Sequence, residues 1–449
     1  MSDLQSIAQH AIERAKKSGA TAADAMIRED DTFSVTVRMG EVETLKEAIS
    51  RSLMLRVFIG KRTATSHSSD LSDAIVDQLV DETVEMARLT SEDQSGGLPA
   101  EAVLREGSLP DLNLIDRSWD SLTPEQRINL ATQTEAAALS TDKLITNSDG
   151  ASFEYARSKV ALANTIGFAG KYEGTGAVLV CVPIAQSKEG MQRDHWLSAA
   201  RHRHGLGAPE DIGKKAATRA IRRLGARKIR TCQVPVVFDP LCSRSLLNHL
   251  FEAVSGSAIY RRSSFLIDQI GEEVASSVVS VIDDARMPAG LGSVPFDDEG
   301  VPTQATAIIE NGVLRNYLQS AYTARKLGSK PTGNGSRSAS GVVTIGPTNF
   351  YLRSGPYTPQ DIIGSVKRGM YIVELIGFGV NTVTGDYSRG AVGIWIEDGK
   401  LTHPVHEVTI AGNLREMLKN IEMVGSDVTF VGSIAAPTLK ISNMVVSGE

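Results

Sequence analysis

Ser243-Arg-Ser-Leu-Leu-Asn-His-Leu-Phe-Glu-Ala-Val-Ser-Gly-Ser-Ala-Ile-Tyr-Arg-Arg-Ser-Ser-Phe265 is the stretch against which the rest of this chain is read. Leu246, Leu247, Leu250, Phe251 and Val254 recur at helical spacing and predict a buried helix, with Ser243 as N-cap and Gly256 just past its end. Asn248, His249 and Glu252 fall together on the opposite arc, where a metal-dependent hydrolase carries its ligands and base. A zinc peptidase helix needs two imidazoles converging on one ion, with a carboxylate beside the first to take a proton from bound water. This helix offers one imidazole. Two readings remain open: a relict polar site in a cleft, or an ordinary exposed face with a His249/Glu252 contact at i, i+3.

At 449 residues the chain exceeds one ordinary core, so two or three domains are expected. Its 47 basic and 53 acidic residues give a formal charge of −6, which argues against nucleic-acid binding by bulk electrostatics. Cys181, Cys232 and Cys242 are odd in number and lack C-x-x-C spacing, so neither a disulfide framework nor a zinc ribbon is expected. The N-terminus reads as neither a signal peptide nor a membrane span, and the expected location is cytoplasmic.

Working outward, residues 3–18 predict an amphipathic helix closed by Ser18-Gly19, and the next fifty or so residues predict strands broken by polar turns. Residues 71–89 return to helical spacing. Residues 91–118 lose all periodicity and read as a long surface connection of the kind that often serves as a flap. Thr123-Pro-Glu-Gln126 predicts a capped helix start, and Asn147-Ser-Asp-Gly150 a turn between strands. A helix over 209–224 precedes the main boundary near 225–231. Beyond it, Asn311-Gly312 and Asp398-Gly399 predict two hairpins. The expected fold class is α+β. A domain over 1–228, with a split near 90–122, mixes helices and sheets, and a β-rich domain over 229–449 contains the opening helix.

Other motifs carry less chemistry. His195, His202 and His204 form the densest histidine group, but Arg201 and Arg203 surround them with positive charge, and a solvated basic segment is the simpler reading. His403 and His406 read as capping or surface residues. Gly207 to Lys215 misses the phosphate-loop spacing and lacks the hydroxyl after the lysine. Pro331-Thr-Gly-Asn-Gly-Ser-Arg-Ser338 reads as a surface loop or a flap. Gly377-Phe-Gly-Val-Asn-Thr-Val-Thr-Gly-Asp-Tyr-Ser-Arg-Gly390 reads as a tight turn or as a strand edge that contacts peptide through Asn381, Asp386, Ser388 and Arg389.

Four of these stretches carry a resemblance: Val254-Ser-Gly-Ser-Ala-Ile259 with Ser263-Ser-Phe265, Pro331-Thr-Gly-Asn334, Asn381 to Gly390, and Ile410-Ala-Gly-Asn413. In order and spacing they resemble the TldD/PmbA family, on its TldE/PmbA side, across nearly the whole chain. The resemblance implies a two-part α+β fold and a cytosolic heteromeric metalloprotease in which a TldD-like subunit supplies the zinc. Catalytic members carry His-Glu-x-x-x-His in the opening helix. Aligning the Leu246-Leu247 pair and Phe265 places Asn248 at the first ligand, His249 at the glutamate and Ala253 at the second ligand. The family's further cysteine ligand near the C-terminus has no counterpart after Cys242. This chain is therefore expected to hold no metal and no catalytic residue. It is expected to pair with a TldD-like metalloprotease and to shape a passage for unfolded or short peptides, without membrane or nucleic-acid partners. An interface built for a sibling can also accept a second copy as a homodimer. Two alternatives stand beside it: an autonomous metallopeptidase with a non-standard site at His195/His202/His204 or His249/Glu252, and a non-proteolytic regulator of DNA gyrase, after an older label in the family.

Overall fold

A computed structural model describes residues 3–101 and 109–449. The fold is α+β. In the N-terminal half, strands β1 (Ala22–Arg38), β2 (Glu41–Ile59), β3 (Arg62–Ser68), β4 (Ile145–Asn164), β5 (Ala169–Ser187), β6 (Gly190–Arg193) and β7 (Trp196–Ala200) form one antiparallel sheet in the order β3-β2-β1-β4-β5-β6, with β7 also on β5. Strand β1 runs without a turn from Ala22 to Arg38. The turn expected at Asn147–Gly150 is a bulge inside β4, where pairing shifts between Ser148 and Ala151 and Gly150 takes a positive φ. Helix α1 (Leu4–Lys17) and helix α2 (Asp73–Leu89) cover one end of a sheet face, burying Ile7, Ile12, Val76, Val80 and Val84 on Ile27, Leu53 and Leu55. Helix α3 (Pro124–Leu139) and helix α4 (Pro209–Ile221) cover the other end, where Phe33, Val35, Phe153 and Leu179 meet Trp119, Ala131, Ile212 and Ala216. The capping box at Thr123 forms as expected. Period-2 alternation sends Met26, Met54, Val160 and Leu162 to the opposite face, and Phe296 of the C-terminal half packs on them.

The C-terminal half is β-rich. Strands β8 (Cys232–Phe238), β9 (Val281–Asp284), β10 (Ala305–Glu310), β11 (Val313–Leu314), β12 (Gly335–Arg337), β13 (Val343–Ile345), β14 (Phe350–Leu352), β15 (Arg368–Ile376), β16 (Asp386–Glu397), β17 (Lys400–Asn413), β18 (Ile421–Val424), β19 (Ile434–Ala435) and β20 (Leu439–Ser447) make two larger sheets and the β12–β13 pair. The order β17-β16-β15-β8-β20, with β17 also pairing β20, closes five strands into a barrel that carries β18 on β20. The second sheet runs β11-β10-β9-β14-β19. Both hairpins turn where expected, with Asn311, Gly312, Asp398 and Gly399 all at positive φ. Helix α5 (Pro240–Val254) leaves β8, and its apolar residues share one core with strands of both sheets.

Buried ion pairs fasten the halves. Arg56 of β2 reaches Asp24 at 2.6 Å and Glu299 at 3.0 Å, and Arg337 reaches the other Asp24 oxygen at 2.7 Å. Burial acts to raise the Asp24 carboxyl, but Arg337 and Arg56 outweigh it and hold it below its ordinary value. A second clasp joins Arg219 of α4 to Asp239 at 2.8 Å, with Arg223 on Glu374. The loop at 331–338 is neither a surface loop nor a flap: Asn334 is buried and donates to Asp283 at 2.6 Å, and the Arg337 side chain is fully buried. The connection at 91–118 is also fastened where it is described. Arg325 donates to the carbonyls of Ser95, Gly97 and Leu98, and Ala289 donates to that of Leu112. The rest of that expected flap, 102–108, lies outside the described residues.

Candidate functional site

Helix α5 begins one turn earlier than its apolar stripe predicts. Asp239 is the N-cap, its Oδ1 accepting from the Leu241 amide at 3.2 Å, and Pro240 takes the first helical position. Ser243 is not the cap. It is buried inside the helix and donates to the Pro437 carbonyl at 2.6 Å. The other Asp239 oxygen accepts from Arg219 and from the Tyr371 hydroxyl, each at 2.8 Å. Burial works to raise this carboxyl, and Arg219, Arg222 and Tyr371 together hold it below its ordinary value. Ser255 ends the helix. Gly256 then opens helix α6 (Gly256–Tyr260) so close to the Leu318 carbonyl that an added Cβ would stand 2.9 Å from its oxygen.

The polar arc lies where the wheel puts it. Asn248 donates to Glu252 at 2.9 Å, and His249 Nδ1 stands 3.7 Å from the other Glu252 oxygen. His249 and Asn248 hold the half-exposed Glu252 carboxyl below its ordinary range. The imidazole itself is largely buried, 14 % exposed, edge-on to the Tyr387 ring at 6.3 Å, and neither ring nitrogen has a hydrogen-bond partner. The buried Tyr387 hydroxyl has none either. Ala253, at the remaining ligand position, is fully buried in the core.

The glycine-rich segment lies beside this helix. Arg389 donates to Ser245 at 3.2 Å, one turn before His249. Asn381 caps its own turn, Oδ1 accepting from the Val383 amide at 2.9 Å, and Asp386 accepts from Thr384 at 2.6 Å and from Asn413 at 3.3 Å. Ser388 donates its amide to the Gly379 carbonyl at 2.7 Å while its side chain stays exposed. The Phe265 amide donates to Thr382 and the Leu414 amide to Gly385. The motifs at 263–265, 381–390 and 410–413 therefore meet in one place around α5. Strand β16 is no sheet edge: β17 flanks it on one side, and on the other β15 covers residues 390–397 while the 379–380 limb bonds Tyr387 and Ser388. The turn takes up much of the polar character of Asn381 and Asp386, and the limb leading into it presents Phe378, 98 % exposed.

The histidines of the competing site do not converge. His195 stands 3.6 Å from Asp194, His202 bonds the Asn113 carbonyl at 2.7 Å, and the His202 and His204 rings lie 5.5 Å apart in a turn after β7. His403 lies against Trp395, and His406 stands 3.7 Å from Glu407. Sequence reasoning missed Tyr387, Ser245 and Asp239. Only Asp239 carried a local signal, the Asp-Pro pair that opens many helices.

Family profiles match almost end to end: PmbA/TldA metallopeptidase domain 1 over residues 23–87, the central domain over 117–224 and the C-terminal domain over 231–448. The chain belongs to the PmbA/TldD family. It is 34% identical to "Metalloprotease PmbA" of Escherichia coli O157:H7 over 427 residues, which is 95% of this chain and 92% of that protein. It is 33% identical to a PmbA homolog of Haemophilus influenzae over 450 residues, 100% and 96% of the two chains. Among solved structures, a proposed modulator of DNA gyrase from Bacteroides thetaiotaomicron superposes with a TM-score of 0.91 at 27% identity, covering 99% of each chain. TldE from Thermococcus kodakarensis, at 23% identity, shares the fold with a TM-score of 0.90 over 98% and 100% of the two chains.

The PmbA/TldD family is named for a metal-dependent activity, and the donors on this chain's α5 do not fit a catalytic zinc. Such sites take three protein ligands. Here one imidazole, one amide and one carboxylate share the arc. Among the described residues no three His, Cys, Asp or Glu side chains stand close enough to hold an ion. The three cysteines are free, and Cys242, the one on α5, is buried. Among the described residues no helix is long and apolar enough to cross a membrane.

Proposed function

We propose that this chain is the non-catalytic, TldE/PmbA-type subunit of a cytoplasmic heteromeric metalloprotease acting on unfolded or short peptides, with a TldD-like sibling supplying the zinc. One observation carries the reading. Where a catalytic helix presents two imidazoles and a carboxylate, α5 presents Asn248, an imidazole with no hydrogen-bond partner and a buried alanine. The rest of the site is kept: three motif segments are hydrogen-bonded to one another around that helix. Asn381, Asp386, Ser388 and Arg389 are proposed to shape the peptide passage, with the 377–381 limb and its exposed Phe378 toward the partner or the peptide.

Peptide hydrolysis by the TldD-like partner, with and without this chain, tests the reading alongside metal analysis of each protein alone. Hydrolysis is expected to need both chains, with stoichiometric metal only in the partner. A metal-loaded, proteolytically active preparation of this chain alone would sink it. Replacing Asp386 and Arg389 together with alanine is expected to lower turnover on the order of tenfold through misplacement of the loop while assembly persists. Unchanged turnover removes these residues from the passage.

A further inference from the structure

On the face of the N-terminal sheet that meets Phe296, period-2 alternation along β5 puts Gly170, Tyr172, Gly174 and Gly176 on one side. Two of these glycines answer to a neighbour. An added Cβ would stand 2.7 Å from the Phe296 ring at Gly170 and 2.8 Å from Arg201 Nη1 at Gly174. At Gly176 it would meet nothing within 4 Å. That open space belongs to a cavity of about 320 Å³ between the halves, whose wall includes Arg28, Ser158, Tyr172, Gly176, Arg201 and Val294. Its volume is that of a small-ligand pocket.

Arg201 brings an uncompensated charge to this wall. Its guanidinium donates to the carbonyls of Gly290, Thr175, Leu291 and Ser293 at 2.7, 3.3, 2.9 and 3.0 Å. A guanidinium has five N–H groups and keeps its charge in proteins, so one N–H on Nη1 stays free. Among the described residues no carboxylate acts on Arg201, and burial pulls it below its ordinary value. Carbonyl dipoles tie the end of β7 to the 290–293 loop without neutralising the cation, whereas partly buried charges are ordinarily paired. Beside it, the Tyr172 hydroxyl bonds none of the described residues, and burial pushes it up, so it remains a donor. Asp30 and Asp298 are the acids whose field reaches Tyr172. Both are engaged, Asp30 by Arg28 at 2.7 Å and Asp298 by the Arg337 amide at 2.7 Å.

Free donors around an unpaired guanidinium select an anion, and a carboxylate matches the guanidinium fork. Tyr172 also borders a second cavity of about 410 Å³, lined by Leu109 to Ile115 with Lys171 and Pro295, into which an extended chain can run. That continuation favours a peptide over a free small acid. We propose that the cavity takes a carboxylate of a peptide, held by Arg201 and the Tyr172 hydroxyl. This names the chemistry recognised in the peptide passage proposed above and rests on that reading for the peptide.

Fluorescence anisotropy of a labelled penta-alanine on the full chain, with neither partner nor hydrolysis, tests it. The form with a free C-terminal carboxylate is expected to bind at least about tenfold more tightly than its C-terminal amide. An amide with one internal glutamate distinguishes a side-chain carboxylate from a chain end, and preferential binding of either acid supports the site. Gly176→Leu puts a side chain where none stands and should abolish that binding with the thermal midpoint unchanged. Tyr172→Phe removes only a hydroxyl without a partner and should weaken it about tenfold. Arg201→Gln should bind acid and amide alike; where the lost carbonyl contacts unfold it, the other two variants decide. Equal binding of acid and amide by wild type overturns the proposal. So does acid binding indifferent to Gly176→Leu and Tyr172→Phe, or sodium acetate binding as tightly as the peptide. Failure here leaves the subunit role standing, since that role is read by hydrolysis with the partner.

Discussion

Two polar regions of this molecule are built on opposite terms. At the clasp between the halves, Asp24, Arg56, Glu299 and Arg337 are buried, and each lies within 3.0 Å of an opposite charge. On α5, the imidazole of His249 is nearly as buried and has no hydrogen-bond partner, while Glu252 is half in water. A buried charge is tolerated only while its counter-charges stay, so the first region is indispensable to folding. A polar face whose imidazole makes no hydrogen bond has no such partner to lose, so the second region is expected to tolerate substitution. Arg56→Ala tests the contrast most severely. It leaves Glu299 in the interior without its counter-charge and Asp24 with Arg337 alone, and is expected to cost about 3–5 kcal/mol of unfolding free energy, read by denaturant titration. A loss under 1 kcal/mol would mean that the clasp is relaxed by water.

The next effect belongs to the same buried region. Asp283 of β9 accepts from Asn334 and Thr348, yet burial outweighs those bonds and pushes its carboxyl up to about 6. Its folded-state value therefore lies above its unfolded one. Between about pH 4 and 6 the folded state binds the extra proton, so stability from this group is full below about pH 4 and lost as pH rises to about 6. The loss is about 3 kcal/mol. Asp283→Asn holds no titrating proton, and its stability relative to wild type is expected to rise by that amount across the same window. Parallel pH profiles for the two proteins would show that the carboxylate is better solvated than its surroundings indicate.

These buried polar groups are also where the sequence was least legible. Residues 331–338 read as a surface loop because their composition is polar. Their neighbours at Asp283, Asp24 and Asp298 are distant in sequence, and composition cannot reveal who pairs with whom. Local chemistry carried what was legible. Asn311-Gly312 and Asp398-Gly399 fix their hairpins because only such dipeptides accept two successive positive φ angles. The Leu246/Leu250/Val254 stripe fixed the face of α5. The turn expected at Asn147–Gly150 failed for the same reason that the hairpins succeeded, since a bulge and a turn use the same glycine chemistry. For the site, the polar arc of α5 and the segment at 377–390 were each visible. Their junction through Tyr387, Ser245 and Arg389 was not, because it joins residues far apart in sequence.

Gly385→Ala probes that junction at intermediate cost. Gly385 has φ +88° and an added Cβ would stand 2.8 Å from Asn413 Oδ1, so the substitution is expected to cost about 1–2 kcal/mol. Amide exchange should quicken at Phe265 and Leu414, which donate to Thr382 and Gly385. Unchanged exchange at both would mean that the three motif segments are not mechanically joined.

The smallest expected effect separates the two regions most sharply. His249→Leu removes two ring nitrogens that have no hydrogen-bond partner and leaves an apolar side chain against Tyr387. Removing a buried polar group without partners forfeits no hydrogen bond, so stability should be unchanged or raised by up to about 1 kcal/mol. Glu252→Gln keeps the contact with Asn248 and loses only the half-exposed ionic component toward His249, about 0.2–0.5 kcal/mol. Denaturant midpoints for both variants should fall within that narrow band, against several kcal/mol for Arg56→Ala. A loss of 3 kcal/mol or more on His249→Leu, comparable to breaking a buried ion pair, would mean that the imidazole does hold a partner, an ordered water or an ion. α5 would then have to be treated as an occupied site.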